Sequence, residues 1–186
     1  MYKRQAVVVA IAADVLGPEN VRVLMMPSQF SSDHSVDDAL KLAENLGIEY
    51  DIVPITETYT TVMKAMRPVF GDLPFDVAEE NIQARIRGLM MMAVSNKFGH
   101  ILLNTTNKSE MAVGYGTLYG DTNGSISLLG DLYKSEVFDL ARYINRDTEI
   151  IPENIILKAP SAELRPEQRD DESLPCLLYT SPSPRD

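Results

Sequence analysis

The chain has 186 residues, one cysteine, and a formal net charge of −10 from 17 basic and 27 acidic residues. A single cysteine excludes an internal disulfide and a cysteine-built metal site. The acidic balance argues against general affinity for nucleic acid or anionic membranes, which need basic surface.

In chain order, the first peptide is Met1–Gln5 (MYKRQ), polar and basic ahead of a long apolar run. It back-translates into the transposase adapter of shotgun sequencing libraries, as does the C-terminal peptide Cys176–Asp186 (CLLYTSPSPRD). The expectation is that residues 6–175 are the natural segment, and that both ends stay out of fold reasoning as an expression scar would.

Ala6 to Leu16 is apolar almost all round and closes at Gly17-Pro18, which predicts a buried helix. Val21 to Met26 reads as a buried strand. Ser31-Ser32-Asp33 caps a helix from Ser35 to Leu46, whose apolar residues share one face, and Gly47 ends it. Ile48 to Ile55 is a second strand. Tyr59 to Asp76 holds a short helix broken near Pro68 and a Pro/Gly loop. Ala78 to Asn96 is a strong helix, His100 to Leu103 a buried strand, and Ser109 to Val113 a short helix. A Gly/Ser loop precedes a helix from Tyr133 to Ile144, and the remainder reads as irregular. Strands alternating with helices predict an α/β fold, an open parallel sheet with helices on both faces. No apolar run approaches the roughly 20 residues that span a bilayer. No signal peptide is visible, and a cytoplasmic, single-domain protein is expected.

The most informative stretch is Asn104–Asp121 (NTTNKSEMAVGYGTLYGD). It sets Asn, Thr, Lys, Ser and Glu where a strand ends and a helix begins. Ligands of open α/β sheets bind there, and the helix N-terminus favours phosphate. A capped strand-to-helix loop with no ligand is the alternative reading.

Four segments together carry a family resemblance: VRVLMMPSQFSS from Val21, ENIQARIRG from Glu80, LLNTTNKSEMAVGYGTLYGD from Leu102 and KAPSAELRPEQRDDESLP from Lys158. In this order and spacing they resemble the synthetase domain of glutamine-dependent NAD⁺ synthetases. The resemblance implies the ATP-pyrophosphatase version of the α/β fold, of the adenine nucleotide alpha-hydrolase-like kind. It also implies an ATP-dependent amidation of deamido-NAD⁺ through an acyl-adenylate, with ATP as co-substrate and Mg²⁺ as cofactor. Carried over by position, Thr105, Lys134 and Ser161 contact ATP, and Glu110 holds magnesium and substrate. Asn81 and Arg85 contact deamido-NAD⁺. Glu110 and Lys134 are the implied catalytic pair: hard carboxylate oxygens suit Mg²⁺, and an ammonium suits phosphate as a point charge.

Each residue keeps a plainer alternative. Lys134 also fits a solvated first helical turn, Arg85 a surface pair with Glu79 or Glu80, and Ser161 a turn beside Pro160. The Met run from Leu89 to Met92 reads as packing.

The family's Ser-Gly-Gly-x-Asp-Ser loop belongs directly before Ala6, where MYKRQ stands. The central first strand and the N-terminal glutaminase domain are likewise expected to be missing, which predicts an inactive fragment. The resemblance implies a homodimer through helix 78–96 and ammonia drawn from glutamine. An ammonia-dependent NAD⁺ synthetase and a non-catalytic nucleotide-binding module remain the alternatives.

Overall fold

The computed structural model describes residues 2–158 and 163–165. Ser161 and the C-terminal peptide from Cys176 lie outside them. Seven α-helices and four short strands follow one another along the described chain, every two successive strands separated by at least one helix.

Helix α1 (Tyr2–Leu16) starts four residues before the expected Ala6. Nothing between Tyr2 and Ala6 breaks a helix, so the apolar run propagates backwards through Lys3 and Arg4. It ends as anticipated: Gly17 takes φ 85° and donates its N–H to Ala13, and Pro18 cannot continue the helix. Val7, Ala6 and Val8 are fully or almost fully buried, whereas Val15 and Leu16 at the far end are exposed. The helix is therefore buried or half-buried from Ala6 through Ala13, and its last turn is exposed.

Strand β1 (Arg22–Met25) pairs in parallel with β2 (Glu49–Ile52), Arg22 opposite Glu49 and Met25 opposite Ile52. Helix α2 (Asp33–Leu46) makes the crossover and stops at Gly47 in the left-handed region, φ 66°. Helix α3 (Thr56–Phe70) runs unbroken through Pro68, against expectation. Pro68 falls in the last turn: it forfeits its own N–H bond to the preceding turn, but only Val69 and Phe70 follow it in the helix.

Helix α4 (Val77–Phe98) is the longest. Asp76 and Glu79 form its capping box, Asp76 accepting from Ala78 N–H at 2.7 Å and its own N–H donating to Glu79 at 2.8 Å. Strand β3 is only Leu103–Asn104, shorter and later than His100 to Leu103, because His100 N–H turns back to Ser95 O. It pairs in parallel with β4 (Ile126–Ser127), which the sequence placed in a loop. Helices α5 (Lys108–Val113), α6 (Lys134–Ile144) and α7 (Glu153–Leu157) complete the order. The last of these lies in the stretch read as irregular.

The parallel α/β organisation is present, as two separate two-stranded pairs among the described residues. Helix α1 joins them through packing. Val7 meets Leu129, Val137, Ala141 and Ile151 in one apolar cluster, which brings α6 and α7 onto α1. Ala13 meets Met25, Ala43 and Ile48 in another, which holds α2 and the β1–β2 pair. Ile55, Tyr59 and Ile86 tie α3 to α4.

Candidate functional site

Directly after β3 the chain turns on Asn104, whose Oδ1 accepts Thr106 N–H at 2.7 Å. Asn107 then caps α5: its Oδ1 accepts Glu110 N–H at 3.0 Å, and its N–H donates to Glu110 Oε2 at 3.2 Å. Asn-x-x-Glu is a capping-box spacing, so Glu110 is fixed by the helix start itself. The capped-loop reading is correct as local structure, and it holds the candidate carboxylate still.

Arg4, from the first turn of α1, comes to the same place. Its Nη1 lies 2.5 Å from Glu110 Oε2 and donates to Thr105 O at 3.1 Å. Burial pushes the Glu110 carboxyl up, with Asp121 adding to that push; Arg4 and the Asn107 N–H pull against it. Lys134, the first residue of α6, donates its N–H to Ser109 Oγ at 3.0 Å, and Lys108 N–H bonds Leu132 O. Thr105, Glu110 and Lys134 thus share one shelf, built where α5 and α6 begin.

The second shelf is α4 against the loop Gly114–Asp121. Asn81 Oδ1 accepts Thr117 Oγ1–H at 2.7 Å, and Arg85 Nε donates to Leu118 O at 3.3 Å. The approach is close: a Cβ on Gly88 would stand 2.7 Å from Tyr119 O, and one on Gly120 would stand 3.0 Å from Ala84 Cβ. Tyr119 holds a left-handed φ of 62° with its ring exposed. Beside this loop an apolar groove of about 560 Å³ is lined by residues that include Val62, Ile82, Arg85, Leu89 and Met92. Arg85 therefore bonds a loop carbonyl at the groove, and its guanidinium contact differs from the alternative pairing with Glu79 or Glu80.

Hydrogen bonds join the two shelves. Thr117 N–H donates to Asp121 Oδ1 at 2.6 Å, and Asn104 Nδ2 donates to Asp121 O at 3.1 Å and Asn123 O at 2.7 Å. One continuous polar path therefore runs from Asn81 through Thr117, Asp121 and Asn104 to Thr106. Thr106 Oγ1 is buried beside Thr105 without a partner among the described residues.

The residues flanking Ser161 are described although Ser161 is not. Lys158 and Glu163 pair at 2.8 Å, and Arg165 reaches Glu80 at 3.3 Å. Sequence reasoning gives no role to Arg4, Asn104, Thr117 or Asp121. Asn107–Glu110 is legible as a capping box, but Arg4 falls in the terminal peptide that such reasoning leaves out. The link from Asn104 to Asp121 has no sequence periodicity that could reveal it.

No group of three or more His, Cys, Asp or Glu side chains among the described residues is placed to hold a metal ion. Glu110 is the one carboxylate on the first shelf that the resemblance offers to Mg²⁺. Its Oε2 already takes Arg4 and Asn107 N–H. The described residues, as they stand, do not fit a divalent cation. Among them, no helix is long and apolar enough to cross a membrane.

Comparison with known proteins gives a consistent result. The profile of the family described as NAD synthase matches residues 4–180. Glutamine-dependent NAD(+) synthetases are similar in sequence: that of Synechocystis sp. is 54% identical over 170 residues, covering 91% of this chain and 30% of the relative. That of Thermotoga maritima is 51% identical over 172 residues, with the same coverage of 91% and 30%. Among solved structures, a glutamine-dependent NAD+ synthetase from Acinetobacter baumannii in complex with ADP is similar. Its TM-score is 0.82 and its identity 43%, over 87% of this chain and 31% of that one. An NMN synthetase from Francisella tularensis also has a TM-score of 0.82, at 31% identity over 92% of this chain and 67% of that one. The chain spans about 30% of the length of the curated relatives it matches.

Proposed function

This chain belongs to the NAD synthase family, and on that premise we propose that it is the synthetase part of a glutamine-dependent NAD⁺ synthetase. Its reaction is the ATP-dependent amidation of deamido-NAD⁺. The observation that carries this reading is the polar path joining the Thr105–Glu110–Lys134 shelf to Asn81 and Arg85. A nucleotide on one shelf and a dinucleotide on the other would meet across it. Identities near 50% to glutamine-dependent relatives support the same assignment.

In this reading the deamido-NAD⁺ carboxylate attacks the α-phosphorus of ATP, forming a new P–O bond as the bond to pyrophosphate breaks. Ammonia then attacks the acyl carbon, AMP departs with the C–O electron pair, and the ammonium proton passes to solvent. Lys134 and Thr105 hold ATP, Lys134 as a compact charge on phosphate. Arg85 grips a carboxylate or phosphate of the dinucleotide, with Asn81 beside it. Ser161 belongs to the ATP contacts by resemblance. Magnesium is implied by the family, but Arg4 occupies Glu110 in this chain, and no step is routed through the metal.

The reading includes two copies meeting on α4. Leu89 is exposed and lines the apolar groove with Met92 and Arg85, a patch suited to a two-fold interface. A cytoplasmic setting completes it, since ATP and glutamine are met there.

The test supplies the full gene product carrying this segment with deamido-NAD⁺, ATP and either glutamine or ammonium. NAD⁺ and AMP from both nitrogen sources are expected. Product from ammonium alone would favour the ammonia-dependent enzyme. Nucleotide binding without AMP would leave only a non-catalytic module.

A further inference from the structure

Tyr119 is tied into the fold by its backbone alone. Its φ of 62° lies in the left-handed region, where a bulky residue is an outlier that only its surroundings can hold. Those surroundings press from two sides. Gly120 N–H and Thr122 N–H both donate to Thr117 O, at 2.9 and 3.3 Å, and close the turn. From α4, Gly88 faces the Tyr119 carbonyl so closely that a Cβ there would stand 2.7 Å from it. The side chain adds nothing to this arrangement. It is 83% exposed, and among the described residues its hydroxyl makes no hydrogen bond and its ring meets no aromatic or cationic partner. Glycine takes such a backbone without strain, so the use of this ring lies outside the folded chain.

The ring lines the apolar groove between α3, α4 and the loop. The groove's volume of about 560 Å³ falls within the range of small-ligand sites, about 300–1,000 Å³. Two polar side chains join Tyr119 there. Arg85 places Nε on Leu118 O at 3.3 Å, so its two Nη groups stay available to an anion. Asn123 Nδ2 donates to Gly88 O at 3.2 Å, which leaves Oδ1 to accept from an amine. An aromatic face, a guanidinium and an amide oxygen over an apolar floor suit an adenylate. The purine stacks on the tyrosine, its exocyclic amine meets Asn123, and a phosphate meets Arg85. A pyridine carboxylate has no amine for Asn123. The carboxylate of deamido-NAD⁺ must also reach ATP on the Thr105–Glu110–Lys134 shelf, so its adenylate half is the part left for the groove.

We propose that Tyr119 is a stacking platform for the adenine ring of deamido-NAD⁺ and sets the preference for a dinucleotide over a mononucleotide. The proposal rests on the functional reading above and deepens it. Tyr119 acts far from the reacting atoms, on the loop wall of the groove, whereas the two-fold contact at Leu89 uses the α4 wall.

The test uses the full gene product with Tyr119→Gly, which removes the ring and suits the backbone, and Tyr119→Phe, which keeps the ring. Each is assayed with deamido-NAD⁺ and with nicotinic acid mononucleotide, which lacks the adenylyl half. If the mononucleotide is not turned over, its inhibition constant against deamido-NAD⁺ is read instead. Tyr119→Gly is expected to raise KM for deamido-NAD⁺ about tenfold, the scale of losing one base–aromatic stack. KM for ATP and the constant for the mononucleotide should stay within about twofold, as for independent sites. The melting temperature should not fall, and Tyr119→Phe should keep the wild-type preference. An unchanged KM for deamido-NAD⁺ in Tyr119→Gly would overturn the proposal. So would equal losses with dinucleotide and mononucleotide, which mean a contact to the half they share or a disturbed loop. Loss of a dimer with KM unchanged would place the ring in the two-fold contact and overturn it too. A wild-type protein that forms no NAD⁺ would instead remove the functional reading, and the stacking role with it.

Discussion

Arg4 and Glu110 form an ion pair at 2.5 Å, with their side chains only 11% and 13% exposed. A cation from the first turn of α1 therefore sits on the carboxylate that the family resemblance offers to magnesium. Removing one partner of a buried pair typically costs about 3–5 kcal/mol, because the other is left charged and unpaired. Arg4→Met should lower unfolding stability by about that much. Arg4→Met/Glu110→Gln together should recover most of it, and a urea-denaturation cycle measures both. If the single and double variants fall equally, the pair is not coupled. While Arg4 holds Glu110, residues 1–186 alone should show no turnover.

Gly88 faces the loop backbone. Replacing glycine by alanine inside a helix ordinarily gains about 1 kcal/mol. Here the new Cβ would meet Tyr119 O at 2.7 Å and Gly120 O at 3.1 Å. Overpacking against backbone costs about 1–3 kcal/mol, so the clash should win. Gly88→Ala is expected to lower the urea midpoint and, in the full gene product, to weaken deamido-NAD⁺ binding. A raised midpoint would mean the loop yields freely.

Leu89 is 68% exposed on α4, so a polar replacement should leave the fold within about 0.5 kcal/mol. If two copies meet on this face, Leu89→Glu should convert a dimer into a monomer, with the melting temperature falling only by what dimerisation itself contributes. Sedimentation velocity decides it. A variant that remains dimeric would move the interface elsewhere.

Much of the fold is legible in the sequence because local chemistry sets it. The capping box at Asn107 and Glu110, the Gly47 stop of α2 and the apolar period of α4 are short-range signals. The two-residue strands β3 and β4 are less so, since pairing partners more than twenty residues apart carry no local pattern. The same holds for the site. Thr105, Glu110 and Lys134 stand in motifs, whereas Arg4, Asn104 and Asp121 join it through tertiary contacts. Helix α7 escapes notice because its five residues are too few to show a period.

Strand β1 is held to β2 partly by Arg22, whose Nε lies 2.7 Å from Asp51 Oδ2 and whose guanidinium stacks on Phe98. The hydrogen bond from Arg22 holds the Asp51 carboxyl below its ordinary value. A lowered folded pKa contributes stability above the unfolded pKa and loses it as pH falls through the folded one. The stability difference between the wild-type chain and Asp51→Asn should be constant above the ordinary aspartate range and shrink in more acidic solution. A difference independent of pH would deny the pair any role. The pair is solvent-accessible, and high salt should shrink the difference too.

The most direct test follows an oxygen atom. Deamido-NAD⁺ labelled with oxygen-18 in its carboxylate is incubated with ATP, ammonium and the full gene product carrying this segment. Attack of that carboxylate on the α-phosphorus leaves one labelled oxygen in the AMP released, alongside NAD⁺. Lys134→Met should reduce labelled AMP by about a hundredfold, the usual scale for losing one electrostatic stabiliser. Label in inorganic phosphate with ADP as the nucleotide product, or labelled AMP at near wild-type rates from Lys134→Met, would contradict the account.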